Sequence, residues 1–144
     1  MKTPLKPAKV LFVCVENSRR SQMAEGLARA FGGGLIEPYS AGSDPSGTID
    51  PAVTKVMRGI GLDISGQSSK GFRDLAGIEF DYVVSLGCGD TCPFVAAKKH
   101  LSWNIEDPKG KPDDFFRLTR DRIKVKVRDL ARQIKKEAGH GTPL

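Results

Sequence analysis

Residues 10–26 read VLFVCVENSRRSQMAEG, and the parsing of this stretch decides the fold. Residues 8–14, AKVLFVC, are rich in apolar and β-branched side chains and predict a buried strand that ends at Cys14. From Arg20 the spacing turns helical. Met23, Leu27, Ala30 and Phe31 are expected on one face, and Gly32–Gly34 stop the helix. Between strand and helix stand Val15, Glu16, Asn17, Ser18 and Arg19. Either a core strand closes there in an ordinary turn, or the loop is a cradle for an oxyanion.

The rest of the chain extends the alternation. LIEPYSAG, residues 35–42, fits a second strand, with Pro38 pointing to a sheet edge. Asp50 is a good N-cap and Pro51 a good first residue for a helix that buries Val53, Val56, Met57 and Ile60 and ends at Gly61. FDYVVSLG, residues 80–87, is the clearest third strand, and HLSWNI, residues 100–105, a shorter fourth. A long helix over 113–137 carries an apolar stripe of Phe116, Ile123, Val127, Leu130 and Ile134. Alternating strands and helices imply an α/β fold, a parallel sheet covered on both faces. Such sheets bind ligands at the carboxyl ends of their strands, where Cys14 and Cys88 fall. Residues 1–144 read as a single domain, with a core over about 8–137 and a frayed tail over 138–144.

Composition narrows the function classes. With 39% hydrophobic and 28% charged residues the chain is ordinary for a globular protein. No apolar run approaches a membrane helix, and the lysine-bearing N-terminus lacks the apolar core of a signal peptide, so no membrane partner and a cytoplasmic location are expected. Three cysteines, Cys14, Cys88 and Cys92, do not make a secreted disulfide framework and suggest reduced thiols, metal ligands or redox chemistry. The net charge of +6 sits on residues 98–138. Without aromatic interleaving or a nucleic-acid motif, this reads as the solvated face of a helix rather than a nucleic-acid surface.

Cys14-x5-Arg20 acquires meaning from its context, a strand end, a polar loop and a helix start. Successive N–H groups of Val15, Glu16, Asn17, Ser18 and Arg19 would converge on an anion, helped by the positive helix N-terminus. Such a nest favours a Cys14 thiolate. Arg20 would clamp two oxygens of the anion, and Ser21 would donate to the thiolate.

These residues, with YSAG, GLDIS and EDP, resemble the low-molecular-weight protein tyrosine phosphatase superfamily. More narrowly they resemble its arsenate reductase branch, in which NSxRSQMAEG is typical. The resemblance implies a three-layer, doubly wound fold with a four-stranded parallel sheet. It also implies that Asp107, before Pro108, is the acid that protonates the departing oxygen. Two features speak for the reductase. Cys88 and Cys92 stand in the Gly-rich SLGCGDTCP, where the thioredoxin-coupled reductases keep a resolving pair. After Pro108 comes KGK instead of the aromatic residues of phosphotyrosine phosphatases, and lysines suit a small anion.

The implied mechanism is a thiol relay. Cys14 attacks arsenate, Cys88 attacks Cys14 and releases arsenite, and Cys92 then moves the disulfide to Cys88–Cys92 for reduction by thioredoxin or a similar thiol donor. The three residues between Cys88 and Cys92 are fewer than in the best-known thioredoxin-coupled members. The alternative is a phosphatase of phosphotyrosine or small phosphate esters that works through a Cys14-phosphate. Arg19 replaces the Cys or Ala of many relatives and either adds charge near the anion or points to solvent. Asn17, Glu25, Ser40 and Asp63 match positions that in some relatives support the loop and a potassium ion; a hydrogen-bond scaffold is the simpler role. No tightly bound cofactor is expected. His100 reads as a partly buried, satisfied histidine, and a zinc site made of it and the cysteines is disfavoured.

Overall fold

The computed structural model describes residues 6–87 and 94–140. Four strands, β1 (Ala8–Cys14), β2 (Ile36–Gly42), β3 (Phe80–Leu86) and β4 (Ala97–Trp103), alternate with helices α1 (Arg20–Phe31), α2 (Pro51–Arg58) and α3 (Asp113–His140). All three pairings are parallel, in the order β2-β1-β3-β4. The chain therefore winds from β1 to one side and returns on the other, so the switch point lies between the carboxyl ends of β1 and β3.

Side chains alternate across β1, as its period of two requires. Val10 and Phe12 join a core made with α1, α2 and α3, while Leu11 and Val13 join a second cluster on the opposite face. That second face is covered by Phe72, Leu75 and Ile78, from and just after a single 3-10 turn (Phe72–Leu75), not by an α-helix. The third layer is thus thin. β2 lies at the sheet edge, where Pro38 costs no ladder bond.

Several boundaries differ from expectation. On α1 the fully buried face is Met23, Ala24, Leu27 and Ala28, whereas Ala30 is exposed and Phe31 half-buried. The α2 cap is as read: Asp50 accepts from Ala52 N at 3.0 Å, with Pro51 first in the helix. The regular helix closes at Arg58, and the chain turns through Gly61 (φ 81°), with Gly61 N bonded to Arg58 O and Leu62 N to Met57 O. β4 begins three residues before the predicted strand and ends two residues before its end. α3 runs through His140, so 138–140 belong to the helix and not to a tail. Its stripe of Phe116, Ile123, Val127, Leu130 and Ile134 is buried as the spacing required. Among the described residues, no helix is long and apolar enough to cross a membrane.

Candidate active site

Cys14 is the last residue of β1 and is buried. Beyond it, five consecutive carbonyls are held from outside the loop. Cys14 O accepts from Ser43 N at 3.3 Å and Val15 O from Asp44 N at 2.8 Å. Glu16 O accepts from Ser46 N and Ser69 Oγ, both at 3.0 Å. Asn17 O accepts from Gln22 Nε2 at 3.0 Å and Ser18 O from Asp50 N at 3.2 Å. In a trans peptide the following N–H points the opposite way. The N–H groups of Val15, Glu16, Asn17, Ser18 and Arg19 are therefore turned to the inside of the loop, the arrangement of an anion nest.

Asn17 is the strut of this loop. It adopts φ 50°, the left-handed region that Asn tolerates better than most residues. Its Oδ1 accepts from Lys70 N (2.8 Å) and Gln22 Nε2 (2.9 Å), which fixes the amide orientation. Its Nδ2 then donates to Ser21 Oγ at 2.7 Å. With that lone pair filled, the Ser21 proton is free for Cys14 Sγ, 2.8 Å away. Gly42 closes the loop from β2, where a Cβ would lie 2.4 Å from Val15 O.

Helix α1 begins at Arg20 with no side-chain cap, unlike α2, and with no acidic residue in its first turn. Its positive end is left for a ligand. Arg20 is 6% exposed; Nη1 donates to Ile105 O at 3.0 Å and Nη2 lies 3.7 Å from Asp107 Oδ2. Among the described residues, Arg20 Nε is the one buried side-chain nitrogen or oxygen without a partner. A buried donor left open costs about 1–3 kcal/mol, which an arriving oxyanion would recover.

Arg19 contradicts the solvent-facing alternative. It is buried, and its Nε, Nη1 and Nη2 donate to Asp107 Oδ1 (2.9 Å), Asp50 Oδ2 (3.3 Å) and Glu16 Oε2 (2.7 Å). Burial opposes its charge, but the hydrogen bond to Asp107 and the charges of Asp107 and Glu16 outweigh it and raise its pKa above the ordinary arginine value. Lys109, the first lysine of KGK, bonds Glu16 Oε2 at 3.0 Å. That bond, followed by the charge and hydrogen bond of Arg19, holds the Glu16 carboxyl below its ordinary range despite its partial burial. Glu16, Asp50 and Asp107 thus balance Arg19, Arg20 and Lys109 around the rim.

Of the four oxygen-bearing residues set aside as a scaffold or potassium site, two meet. Ser40 Oγ donates to Glu25 Oε1 at 2.6 Å, and Glu25 also takes Arg29 Nη2 at 2.9 Å and lies 3.9 Å from Lys70 Nζ. These cations of the chain itself supply the positive charge beside Glu25. Asn17 works in the loop, and Asp63 is exposed, capping Ser65 N. No group of three or more His, Cys, Asp or Glu among the described residues is gathered to hold a metal. His100 is exposed, not partly buried; its Nε2 lies 2.7 Å from Val95 O and its ring stacks on Phe94. Cys88 and Cys92 lie outside the described residues. Sequence reading missed Gln22, Lys70 and the second role of Asp50, since their contacts join separate loops. The run RSQMAEG was the one available hint of Gln22.

Known proteins resemble the chain in sequence and fold. The chain is 40% identical over 129 residues to the glutaredoxin arsenate reductase of Synechocystis sp., covering 88% of this chain and 98% of that one. A solved arsenate reductase in its phosphate-binding state superposes with a TM-score of 0.80 at 39% identity, covering 88% and 98% of the two chains. A thioredoxin-dependent arsenate reductase of Corynebacterium glutamicum gives 0.76 at 33% identity, over 91% of this chain and 63% of that one. Residues 9–140 match the family described as low molecular weight phosphotyrosine protein phosphatase, and with its cysteine-headed loop, open helix end and buried arginine the chain belongs to that family.

Proposed function

We propose that the chain is an arsenate reductase that works by a cysteine relay. The observation that carries this reading is the end of β3. Gly87 has φ 82°, and a Cβ there would lie 2.5 Å from Arg20 Nη1. The chain thus leaves β3 packed against the anion clamp, at the carboxyl edge of the sheet where Cys14 ends β1. Cys88, the second thiol of the relay, is the next residue in the sequence.

The reaction balances with the residues at hand. The Cys14 thiolate attacks the arsenic of singly charged arsenate, held by the loop N–H groups and Arg20. A sulfur–arsenic bond forms, an arsenic–oxygen bond breaks, and the departing hydroxide takes a proton from Asp107 and leaves as water. The Cys88 thiolate then attacks the Cys14 sulfur. The sulfur–arsenic electron pair goes to arsenic, which leaves as arsenite in the +3 state and takes protons from solvent, while a Cys14–Cys88 disulfide forms. Cys92 exchanges with it, freeing Cys14, and a thiol reductant of the thioredoxin or glutaredoxin class reduces Cys88–Cys92. The two electrons come from thiols, so the chemistry calls for no resident cofactor. The cycle needs a reducing compartment, the cytoplasm.

Mass-spectrometric disulfide mapping after one equivalent of arsenate tests this. Cys88–Cys92 is expected in the wild type and Cys14–Cys88 in Cys92→Ser. Absence of both would leave the phosphatase reading, in which Cys14, Arg20 and Asp107 keep their roles and a Cys14-phosphate is the intermediate.

A further inference from the structure

We infer that Arg19 is a positioning residue: its guanidinium fastens Asp107 to the anion loop so that Oδ2, and not Oδ1, faces the clamp and carries the proton. The inference rests on the reading of Cys14 as nucleophile and Asp107 as acid.

Asp107 belongs to the loop after β4, 88 residues from Arg19, and its side chain is 33% exposed. A rim carboxylate of that exposure would ordinarily rotate. Here Oδ1 is saturated, taking Arg19 Nε at 2.9 Å and Lys109 N at 3.1 Å. Oδ2 has only the 3.7 Å approach of Arg20 Nη2. A proton placed on Oδ1 would displace a charge-assisted hydrogen bond, whereas Oδ2 is open to receive one. Oδ2 is also the oxygen beside the arginine whose Nε stands unpartnered for the anion. When the hydroxide departs, the proton passes from Oδ2 and the carboxylate left behind is met by Arg19 and Arg20.

Arg19 itself is not a second clamp. All three of its nitrogens are engaged, each by a carboxylate from a different segment: Glu16 in the loop, Asp50 at the start of α2 and Asp107 after β4. A planar guanidinium can span three acceptors, and the single ammonium of lysine cannot. The bonds to Asp50 and Glu16 fix the guanidinium plane, and that plane fixes the carboxylate of Asp107. The contribution of Arg19 to substrate binding is then its backbone N–H.

A double-mutant cycle on arsenate reduction tests the coupling, with a small dithiol as the reductant. Asp107→Asn should lower kcat by about 100- to 10,000-fold. Arg19→Lys should lower it at least 10-fold with the dissociation constant for inorganic phosphate within about threefold of wild type. The double variant should be no slower than Asp107→Asn alone. Arg19→Gln, which keeps a donor and loses the charge, is the second variant should Arg19→Lys fail to fold, and it should show the same non-additivity. Multiplying losses, or phosphate binding weakened more than 10-fold, would overturn the proposal and give Arg19 a merely structural or clamping role. Full activity in Asp107→Asn, or in Cys14→Ser, would instead sink the underlying reading.

Discussion

The Ser21 hydroxyl lies 2.8 Å from the Cys14 sulfur and has its proton free to give, because Asn17 Nδ2 already fills one of its lone pairs at 2.7 Å. A hydrogen bond to a charged partner contributes about 1.5–3 kcal/mol. Ser21→Ala should therefore lower kcat/KM for arsenate by about 10- to 100-fold at one tenfold per 1.4 kcal/mol. Steady-state kinetics checks it; an unchanged rate would show that the hydroxyl does not act on the thiolate.

Asn17 combines two demands, an αL backbone and an amide that bridges Lys70 N, Gln22 and Ser21. Asn17→Ala loses both, and Asn17→Gly loses only the amide. Urea denaturation should show Asn17→Ala the less stable of the two by about 1 kcal/mol, the strain of a Cβ at positive φ. Equal stability would mean that the loop relaxes to ordinary φ values.

Gly87 is required twice over, by φ 82° and by the 2.5 Å and 2.7 Å that a Cβ would leave to Arg20 Nη1 and Ile105 O. Gly87→Ala must push the Arg20 guanidinium aside, because Ile105 O is backbone. The expected result is at least a 10-fold weaker binding of phosphate by titration calorimetry, with stability lower by about 1–2 kcal/mol. Wild-type affinity would show that Arg20 does not clamp the anion.

Far from the site, Glu137 ties α3 to the sheet. Its hydrogen bonds with Lys99, then Tyr82 and Gln133, bring its pKa from 4.5 down to about 2. A carboxyl depressed in the folded state contributes stability above its unfolded pKa and loses it as pH falls through the folded value. The contribution is thus whole above pH 4.5 and gone below about pH 2. Since the side chain is 37% exposed, solvent screening limits it to about 1 kcal/mol or less. Thermal melts of Glu137→Gln and wild type should differ at pH 7 and converge toward pH 2; a constant gap would point to lost packing.

Most of the fold was legible because its causes are local. The apolar run to Cys14, the Asp50-Pro51 cap and the stripe on α3 each act within a few residues, and the structure has them where the spacing put them. Errors gathered where tertiary contact overrides periodicity. α1 buries Ala24 and Ala28 in the core it shares with α2 and α3 and leaves Ala30 exposed.

At the site the sequence by itself determined the setting of the cradle, a mostly polar loop between a strand end and an uncapped helix start. Its N–H groups turn inward because Ser43, Asp44, Ser46, Asp50 and Ser69, from other segments, hold the loop carbonyls from outside. The sequence did not determine what two adjacent arginines do. Neighbours at the start of a helix point about 100° apart, so one lines the cradle while the other meets whatever the rest of the chain brings. What came was Asp50 from 31 residues away and Asp107 from 88, together with Lys109 on Glu16. Such partners meet only when the sheet closes, and no spacing in the chain records them. The tertiary structure alone turned Arg19 from a surface charge into the buried hub of the rim.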